Sequence, residues 1–269
     1  MSSRLRAVES IRAPEFKAAS QLARRSGRRA FGSYLIEGES MLKAALESGA
    51  AVQQAFIAAR GETDALVNDL LVHNVETFSL AQGMLFKMLG TSYETTTWCV
   101  GVVKMPSVRL ADVVAGAGRL LVMGEQIQDP RNVGVMIRTA EAAGAAAFVL
   151  TEDSADPYCR AAVRSTTGSI LRLPVVSVRA VSDAIPVLKQ AGYRIAGTSA
   201  VGAKSLWDAD LTGKIAFLFG NETTGLSAGA RSAADELLKI PMAQSVHSVN
   251  VTVAQGIVLF EYLRRRGGI

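Results

Sequence analysis

The chain of 269 residues is poor in the side chains that build disulfide frameworks and metal sites, with two cysteines and two histidines. Cys99 and Cys159 cannot form a disulfide framework, so we expect a protein of a reducing, cytoplasmic compartment. We expect no metal site. No apolar run reaches ~18 residues, which argues against a membrane partner or a transmembrane helix. The N-terminal residues lack the apolar stretch of a secretory signal.

Several catalytic and nucleotide-binding motifs are missing or incomplete. Neither a G-x-G-x-x-G after a predicted strand nor a G-x-x-x-x-G-K-[ST] is present, which argues against Rossmann and P-loop nucleotide sites. Gly225–Gly229 matches the hydrolase pattern G-x-S-x-G. However, Ser227 lies well past the strand predicted to end at Phe219, whereas a catalytic serine of this type directly follows its strand. We interpret Ser227 as a helix N-cap, and a hydrolase is a distant alternative.

The excess positive charge is confined to the N-terminal segment. The formal net charge is +5, but residues 1–32 carry eight basic and two acidic side chains, which leaves the remainder close to neutral. Four arginines lie there at helical spacing: Arg24, Arg25, Arg28 and Arg29. The spacing predicts a basic-faced helix suited to contact with the phosphate backbone of a nucleic acid. A solvated helix that aids solubility is the alternative.

Alternating strand and helix patterns predict two α/β units, with helices over Glu39–Glu47 and Glu62–Leu71 in the first. The first spans residues 1–105 and is followed by a linker rich in small residues over 106–118 and a second unit over 119–269. Strands that alternate with helices predict a mostly parallel sheet covered on both faces. Ligands of such sheets bind beyond the carboxyl ends of the strands. We therefore expect functional residues just after Met123, Gly197, Phe219 and Ile240.

Three motifs in this second unit resemble those of the SpoU/TrmH family of RNA ribose 2′-O-methyltransferases, which belongs to the SPOUT superfamily. They are N-V-G-x-x-x-R-T-A-x-x-x-G at 132–144, F-G-N-E-x-x-G-L-S at 219–227 and I-P-M-x-x-S-V-x-S-V-N-V at 240–251. The resemblance covers about residues 119–266. It implies a trefoil-knotted α/β domain that forms a homodimer and binds S-adenosyl-L-methionine.

The N-terminal unit resembles the accessory domain of this family more loosely. Arg29, Phe31, residues 35–38 and residues 101–103 are similar to its R-x-F-x-x-E-G pattern and closing strand. This implies a fold like that of ribosomal protein L30e and a role in binding the RNA substrate.

The resemblance also implies site residues. Five are expected to bind the cofactor: Thr198, Gly220, Ile240, Met242 and Val249. Arg138 is expected to activate the ribose hydroxyl, and the residues expected to shape the site around it are Asn132, Glu222, Ser248 and Asn250. A charged guanidinium has no lone pair, so a phosphate clamp that orients the ribose is an equally open role for Arg138.

Arg160 and Arg164 lie in a segment that resembles another RNA-contacting region of the family. We expect them to contact RNA phosphates, with a surface salt bridge as the alternative of equal weight.

The sequence thus predicts an S-adenosylmethionine-dependent methyltransferase that acts on a ribose 2′-hydroxyl of structured RNA. Ribosomal RNA, and 23S rRNA in particular, is favoured because the accessory domain resembles a ribosomal RNA binder. A tRNA methyltransferase and a non-catalytic RNA-binding protein on the same scaffold remain alternatives.

Overall fold

The computed structural model describes residues 5–58, 65–91, 97–200, 204–243 and 245–267. Three positions of the sequence analysis lie outside the described residues: Arg4 of the basic segment, Glu62 at the start of a predicted helix, and Gln244 in the third motif. None of the helices within the described ranges is long and apolar enough to cross a membrane.

Twelve strands and eleven α-helices are formed by the described residues. The strands are β1 (Arg6–Val8), β2 (Ser33–Glu37), β3 (Val52–Ala58), β4 (Glu76–Leu80), β5 (Cys99–Lys104), β6 (Leu120–Gly124), β7 (Ala147–Thr151), β8 (Val175–Val178), β9 (Arg194–Thr198), β10 (Lys204–Ser205), β11 (Ile215–Phe219) and β12 (Glu236–Lys239). The helices are α1 (Pro14–Gln21), α2 (Arg25–Phe31), α3 (Glu39–Glu47), α4 (Ala65–Val72), α5 (Gln82–Met88), α6 (Leu110–Val114), α7 (Pro130–Ala142), α8 (Arg160–Thr166), α9 (Val181–Gln190), α10 (Ala228–Ala233) and α11 (Val251–Arg265).

The chain divides into two compact units. Unit 1 comprises Met1–Pro106 and Tyr158–Arg172, and unit 2 comprises Ser107–Pro157 and Leu173–Ile269. The sequence-based boundaries place 119–269 in one domain, whereas the segment 158–172, which contains α8, groups with unit 1. The predicted linker also differs, because it contains α6 and belongs to unit 2.

Unit 1 contains a five-stranded mixed sheet with the order β1-β4-β3-β5-β2. Strands β1, β4 and β3 run parallel, and β5 runs antiparallel to β3 and β2. Its core is apolar and includes Phe16 of α1, Phe56 of β3, Phe78 of β4 and Leu85 of α5. The rings of Phe56 and Phe78 stack with their centres 5.1 Å apart.

The predicted basic-faced helix is divided into α1 and α2. Arg24 between them has an extended backbone, and the Cβ of any side chain at Gly27 would lie 2.1 Å from the carbonyl oxygen of Gln21. Arg28 is 4% exposed, and its Nη1 donates to the carbonyl oxygens of Leu22 at 2.7 Å and Ala23 at 3.0 Å. Arg28 therefore donates hydrogen bonds to carbonyl groups at the end of α1. The sequence predicts a surface position for this arginine, and that prediction is wrong.

Unit 2 contains a seven-stranded sheet with the order β10-β12-β9-β11-β6-β7-β8, in which the pairings among the described residues are all parallel. Every residue of β6, β7 and β11 is buried, as expected for a parallel sheet covered on both faces. The prediction of a mostly parallel sheet is confirmed. Because β12, β9, β11 and β6 are neighbours, the loops that leave their carboxyl ends converge.

Candidate cofactor and catalytic site

A cavity of about 420 Å³ lies where the loops after β9, β11 and β12 meet. The structure brings all five residues with a predicted cofactor role to its wall: Thr198, Gly220, Ile240, Met242 and Val249. Glu222 and Ser248 line it as well. The volume lies within the range of small-molecule sites, so the cavity can hold a ligand of cofactor size.

Main-chain atoms form one wall of this cavity at residues 220–225. The backbone N–H and C=O groups of Asn221 and Gly225 exchange hydrogen bonds of 3.1 and 3.0 Å, and Asn221 Oδ1 accepts from the backbone N–H of Thr223 and Thr224 at 2.9 and 3.0 Å. A Cβ on Gly220 would lie 2.3 Å from the carbonyl carbon of Gly225 and 2.3 Å from the nitrogen of Leu226. Only glycine fits this position, so the wall depends on the absence of a side chain there.

Glu222 joins this loop to the loop that precedes α7. Its Oε1 accepts from Asn132 Nδ2 at 2.9 Å and from the backbone N–H of Asp129 at 3.2 Å, and its Oε2 accepts from the backbone N–H of Gln128 at 3.1 Å. Partial burial acts to raise the pKa of Glu222, but these donors outweigh it, so the pKa lies below its ordinary value. The carboxylate is therefore ionised at neutral pH and fixes both loops.

Asn132 and Asn250 extend this network towards the last helix. Asn250 Nδ2 lies 3.5 Å from Asn132 Oδ1, at the limit of a hydrogen bond. Asn250 Oδ1 accepts from the backbone N–H of Thr252 at 2.8 Å and thereby caps α11. Three of the residues with a predicted catalytic role, Asn132, Glu222 and Asn250, are thus connected, and Ser248 lies two residues before Asn250 in the exposed loop.

Arg138 is not part of the hydrogen-bond network formed by Asn132, Glu222 and Asn250. It is exposed on α7, it does not line the cavity, and the described part of the chain gives it no hydrogen bond or ion pair. Val135, one turn earlier, is also exposed, at 36%. The guanidinium is therefore available to a group outside the protomer.

The arginines with a predicted role in RNA binding lie in unit 1 and differ in their surroundings. Arg24, Arg25 and Arg29 are exposed, unlike the buried Arg28 described above. Arg160 and Arg164 both contact the carboxylate of Glu37: Arg160 Nη2 lies 2.9 Å from Oε2, and Arg164 Nη1 lies 2.7 Å from Oε1. The salt bridge that the sequence left as an alternative is therefore present.

Sequence reasoning missed Glu125, which directly follows β6. Glu125 is 7% exposed, and its carboxylate accepts from the backbone N–H of Ser227 at 2.8 Å and from Ser227 Oγ at 2.7 Å. Ser227 Oγ in turn accepts from the backbone N–H of Ala230 at 3.0 Å, which confirms its prediction as the N-cap of α10. A carboxylate placed directly after a fully apolar strand is the signal that could have indicated this contact.

The fold and the cavity define an α/β protein with a ligand site at the carboxyl ends of parallel strands. The model of the SpoU rRNA Methylase family matches residues 119–260. The chain belongs to this family.

Relatives of the chain include enzymes and a solved complex. A 23S rRNA (uridine(2479)-2′-O)-methyltransferase of Streptomyces viridochromogenes is 33% identical over 91% of this chain and 87% of its own length. The 23S rRNA (guanosine-2′-O-)-methyltransferase RlmB of Vibrio vulnificus is 36% identical over 58% of this chain, which spans 64% of that relative. The SpoU methyltransferase AviRb from Streptomyces viridochromogenes, solved with the cofactor AdoMet, is 32% identical with a TM-score of 0.85, over 96% of this chain and 100% of that one.

Proposed function

We propose that the chain transfers a methyl group from S-adenosyl-L-methionine to a ribose 2′-hydroxyl of ribosomal RNA, with 23S rRNA as the substrate. The observation that carries the proposal is the cavity after β9, β11 and β12, whose wall contains all five residues expected to bind the cofactor. Family membership and the names of the relatives, which are 23S rRNA 2′-O-methyltransferases, support the reaction. The names of those two relatives give different target nucleosides, uridine and guanosine. The proposal therefore specifies the ribose 2′-hydroxyl and not the base.

The residues present fit the proposed cofactor. Gly220 removes the side chain that would obstruct the main-chain wall, and Ile240, Met242 and Val249 supply apolar surface suited to an adenine. When bound, S-adenosylmethionine would supply an electrophilic methyl group on its sulfonium. The S–CH3 bond would break as the ribose oxygen forms the new O–CH3 bond, S-adenosylhomocysteine would leave as the neutral thioether, and the hydroxyl proton would be released to solvent.

The chain's own polar groups orient the ribose. Asn132 and Asn250, held by Glu222 and by the start of α11, place amide groups beside the cavity, and Ser248 adds a hydroxyl from the adjoining loop. We assign Arg138 to a phosphate of the RNA, because a charged guanidinium has no lone pair with which to accept the hydroxyl proton. Positioning a poor nucleophile next to a bound methyl donor is a recognised source of rate acceleration.

Homodimer formation is part of the proposal. Helix α11 exposes Val253 at 51% and Phe260 at 52%, and α7 exposes Val135 at 36%, while α7 and α11 pack against each other. Exposed apolar side chains on two adjoining helices are typical of a protein interface. A second protomer on this surface would place its own groups near Arg138 and complete the site.

The finer features of the fold and location are also proposed. Strand β12 lies beside β9 at one side of the sheet, and the next element, α11, packs against α7. This path supports the proposed trefoil knot. The mixed sheet of unit 1 supports an L30e-like domain that binds RNA. A cytoplasmic location follows from the proposed ribosomal substrate.

Transfer of tritium from labelled S-adenosylmethionine to transcribed 23S rRNA, with tRNA in parallel, tests the function. We expect labelled 23S rRNA with a 2′-O-methylated ribose, and loss of at least about 100-fold in kcat with Arg138→Ala at saturating RNA. Calorimetry should show unchanged cofactor affinity in this variant. RNA binding without cofactor binding would establish the non-catalytic alternative, and labelling of tRNA alone would correct the substrate.

A further inference from the structure

Unit 1 contains a second cavity, of about 300 Å³, to which the proposed function assigns no role. Its apolar wall includes Ala19 and Leu22 at the end of α1 and Val102 of β5. Phe31 lies at its edge and is 50% exposed. We call this the Phe31 cavity; its volume is at the lower end of the range for small-ligand sites.

A β-bulge brings two neighbouring glutamines to the Phe31 cavity. Side chains of successive residues in a regular strand point to opposite faces, yet Gln53 and Gln54 both line this cavity. The pairing of β3 with β5 explains the exception: Val52 pairs with Val103 and Gln54 with Val102, so Gln53 is an extra residue. Bulges commonly redirect side chains next to functional sites.

In each of the two glutamine side chains, one amide atom is hydrogen-bonded within the protein and the other is available to a ligand. Ser33 Oγ donates to Gln53 Oε1 at 2.8 Å, and Gln54 Nε2 donates to Glu76 Oε2 at 2.8 Å. In the described part of the chain, Gln53 Nε2 has no acceptor and Gln54 Oε1 has no donor. The cavity therefore presents one oriented donor and one oriented acceptor.

The side chains around Phe31 indicate which class of ligand the cavity fits. Phe31 ends α2, where Gly32 has a left-handed backbone with φ of 58°, and the same helix exposes Arg25 and Arg29. An aromatic ring for stacking, amides that match the edge of a base, and adjacent arginines for the backbone form the combination that proteins use for unpaired bases of RNA.

We propose that the Phe31 cavity binds one unpaired nucleobase of the RNA substrate, stacked on Phe31 and hydrogen-bonded by Gln53 and Gln54. This rests on the proposed function, since it specifies how that substrate is recognised. A base inside a duplex cannot enter, so the RNA must present a loop, a bulge or a flipped nucleotide.

The test compares Phe31→Leu, which removes stacking but keeps an apolar side chain, with Phe31→Trp, which keeps stacking. Gln53→Ala removes the donor, and Ile11→Ala is the matched control, because Ile11 is also exposed in unit 1, at 47%, and does not line the cavity. The full-length protein is used throughout, and thermal unfolding verifies that each variant is folded. Affinity is measured by fluorescence anisotropy with transcribed 23S rRNA fragments that contain loops, and with the same fragments annealed into duplexes.

We expect Phe31→Leu to weaken binding of loop RNA by about tenfold or more, the scale of one base–aromatic stack. Phe31→Trp should bind loop RNA as tightly as the unsubstituted protein. Gln53→Ala should weaken this binding, and Ile11→Ala should not. The slope of log affinity against log salt should be unchanged in Phe31→Leu, because no phosphate contact is lost. Affinity for the cofactor should also be unchanged.

Equal affinities of Phe31→Leu and the unsubstituted protein for loop RNA would overturn the proposal, as would an equal loss for loop and duplex RNA. Failure of the proposed function is separately visible, as absence of cofactor binding and methyl transfer in the unsubstituted protein. In that case the anisotropy comparison still decides whether the cavity binds a base.

Discussion

Substitution of Gly220 by alanine is expected to damage the proposed cofactor site with little effect elsewhere. The added Cβ would lie 2.3 Å from the Gly225 carbonyl carbon and the Leu226 nitrogen, and 2.5 Å from the Gly225 oxygen. All three are backbone atoms, so the loop must move by about 1 Å to reach ordinary contact distances. This movement strains the two hydrogen bonds between Asn221 and Gly225.

The size of the effect follows from those contacts. Overpacking costs about 1–3 kcal/mol, and each weakened hydrogen bond adds up to about 1 kcal/mol. A total of about 3 kcal/mol expressed in the cavity corresponds to a loss of about 100-fold in affinity for S-adenosylmethionine. Titration calorimetry measures this directly, and any part of the strain that remains in the unbound protein should lower the unfolding temperature by about 2–4 °C per kcal/mol.

Gly229→Ala is the matched control for this substitution. Gly229 lies in α10, and the nearest atom to its added Cβ is Ser227 Oγ at 3.9 Å, an ordinary contact. Alanine is favoured over glycine within a helix by about 0.5–1 kcal/mol, so this variant should bind cofactor normally and be slightly more stable. If Gly220→Ala bound cofactor as tightly as Gly229→Ala, at the same unfolding temperature, the steric reasoning would be refuted.

The hydrogen bonds accepted by the Glu222 carboxylate stabilise the folded protein at pH values above the ordinary pKa of 4.5, and this stabilisation is lost as the pH falls through the lower pKa of the folded state. The unfolding temperatures of the unsubstituted protein and of Glu222→Gln should therefore differ at neutral pH and converge in acid. Phe260→Asp should yield monomers in sedimentation experiments and abolish methyl transfer, whereas Val72→Asp, at a 77% exposed position of unit 1, should leave both unchanged. Glutamine at the exposed Arg24, Arg25 and Arg29 should reduce the salt slope of RNA binding by about 2 to 3. Arg28→Gln should instead lower the unfolding temperature, and an unaltered temperature would contradict its role at the end of α1.

Hydrophobic patterns were sufficient to predict the elements that position the site. The apolar runs at 120–123 and 215–219 are central strands of the unit 2 sheet, and the helix predicted over Glu39–Glu47 has those bounds in the structure. Such segments are predictable because burial on both faces of a parallel sheet requires continuous apolar sequence. The same reasoning placed polar loops at the carboxyl ends of those strands, where the cavity lies.

Features that depend on contacts distant in sequence could not be predicted. The spacing of Arg28 is that of a surface arginine, and only the approach of α2 to the end of α1 makes it a buried donor. Glu125 is paired with Ser227 across 102 positions of sequence. Likewise, Gln53 and Gln54 share a cavity because of a bulge that no sequence period reveals.

The assignment of residues 158–172 to unit 1 has a consequence for the order in which the chain can fold during synthesis. Helix α8 supplies Arg160 and Arg164 to Glu37, and Tyr158 places its ring 4.9 Å from that of Tyr34. These residues emerge from the ribosome only after β6 and β7, the first strands of unit 2. N-terminal domains generally fold first as they are made, but here the N-terminal unit cannot be completed until part of the parallel sheet has been synthesised. A nascent chain that ends at Pro106 therefore lacks both arginine partners of Glu37, whose side chain is only 10% exposed in the finished protein.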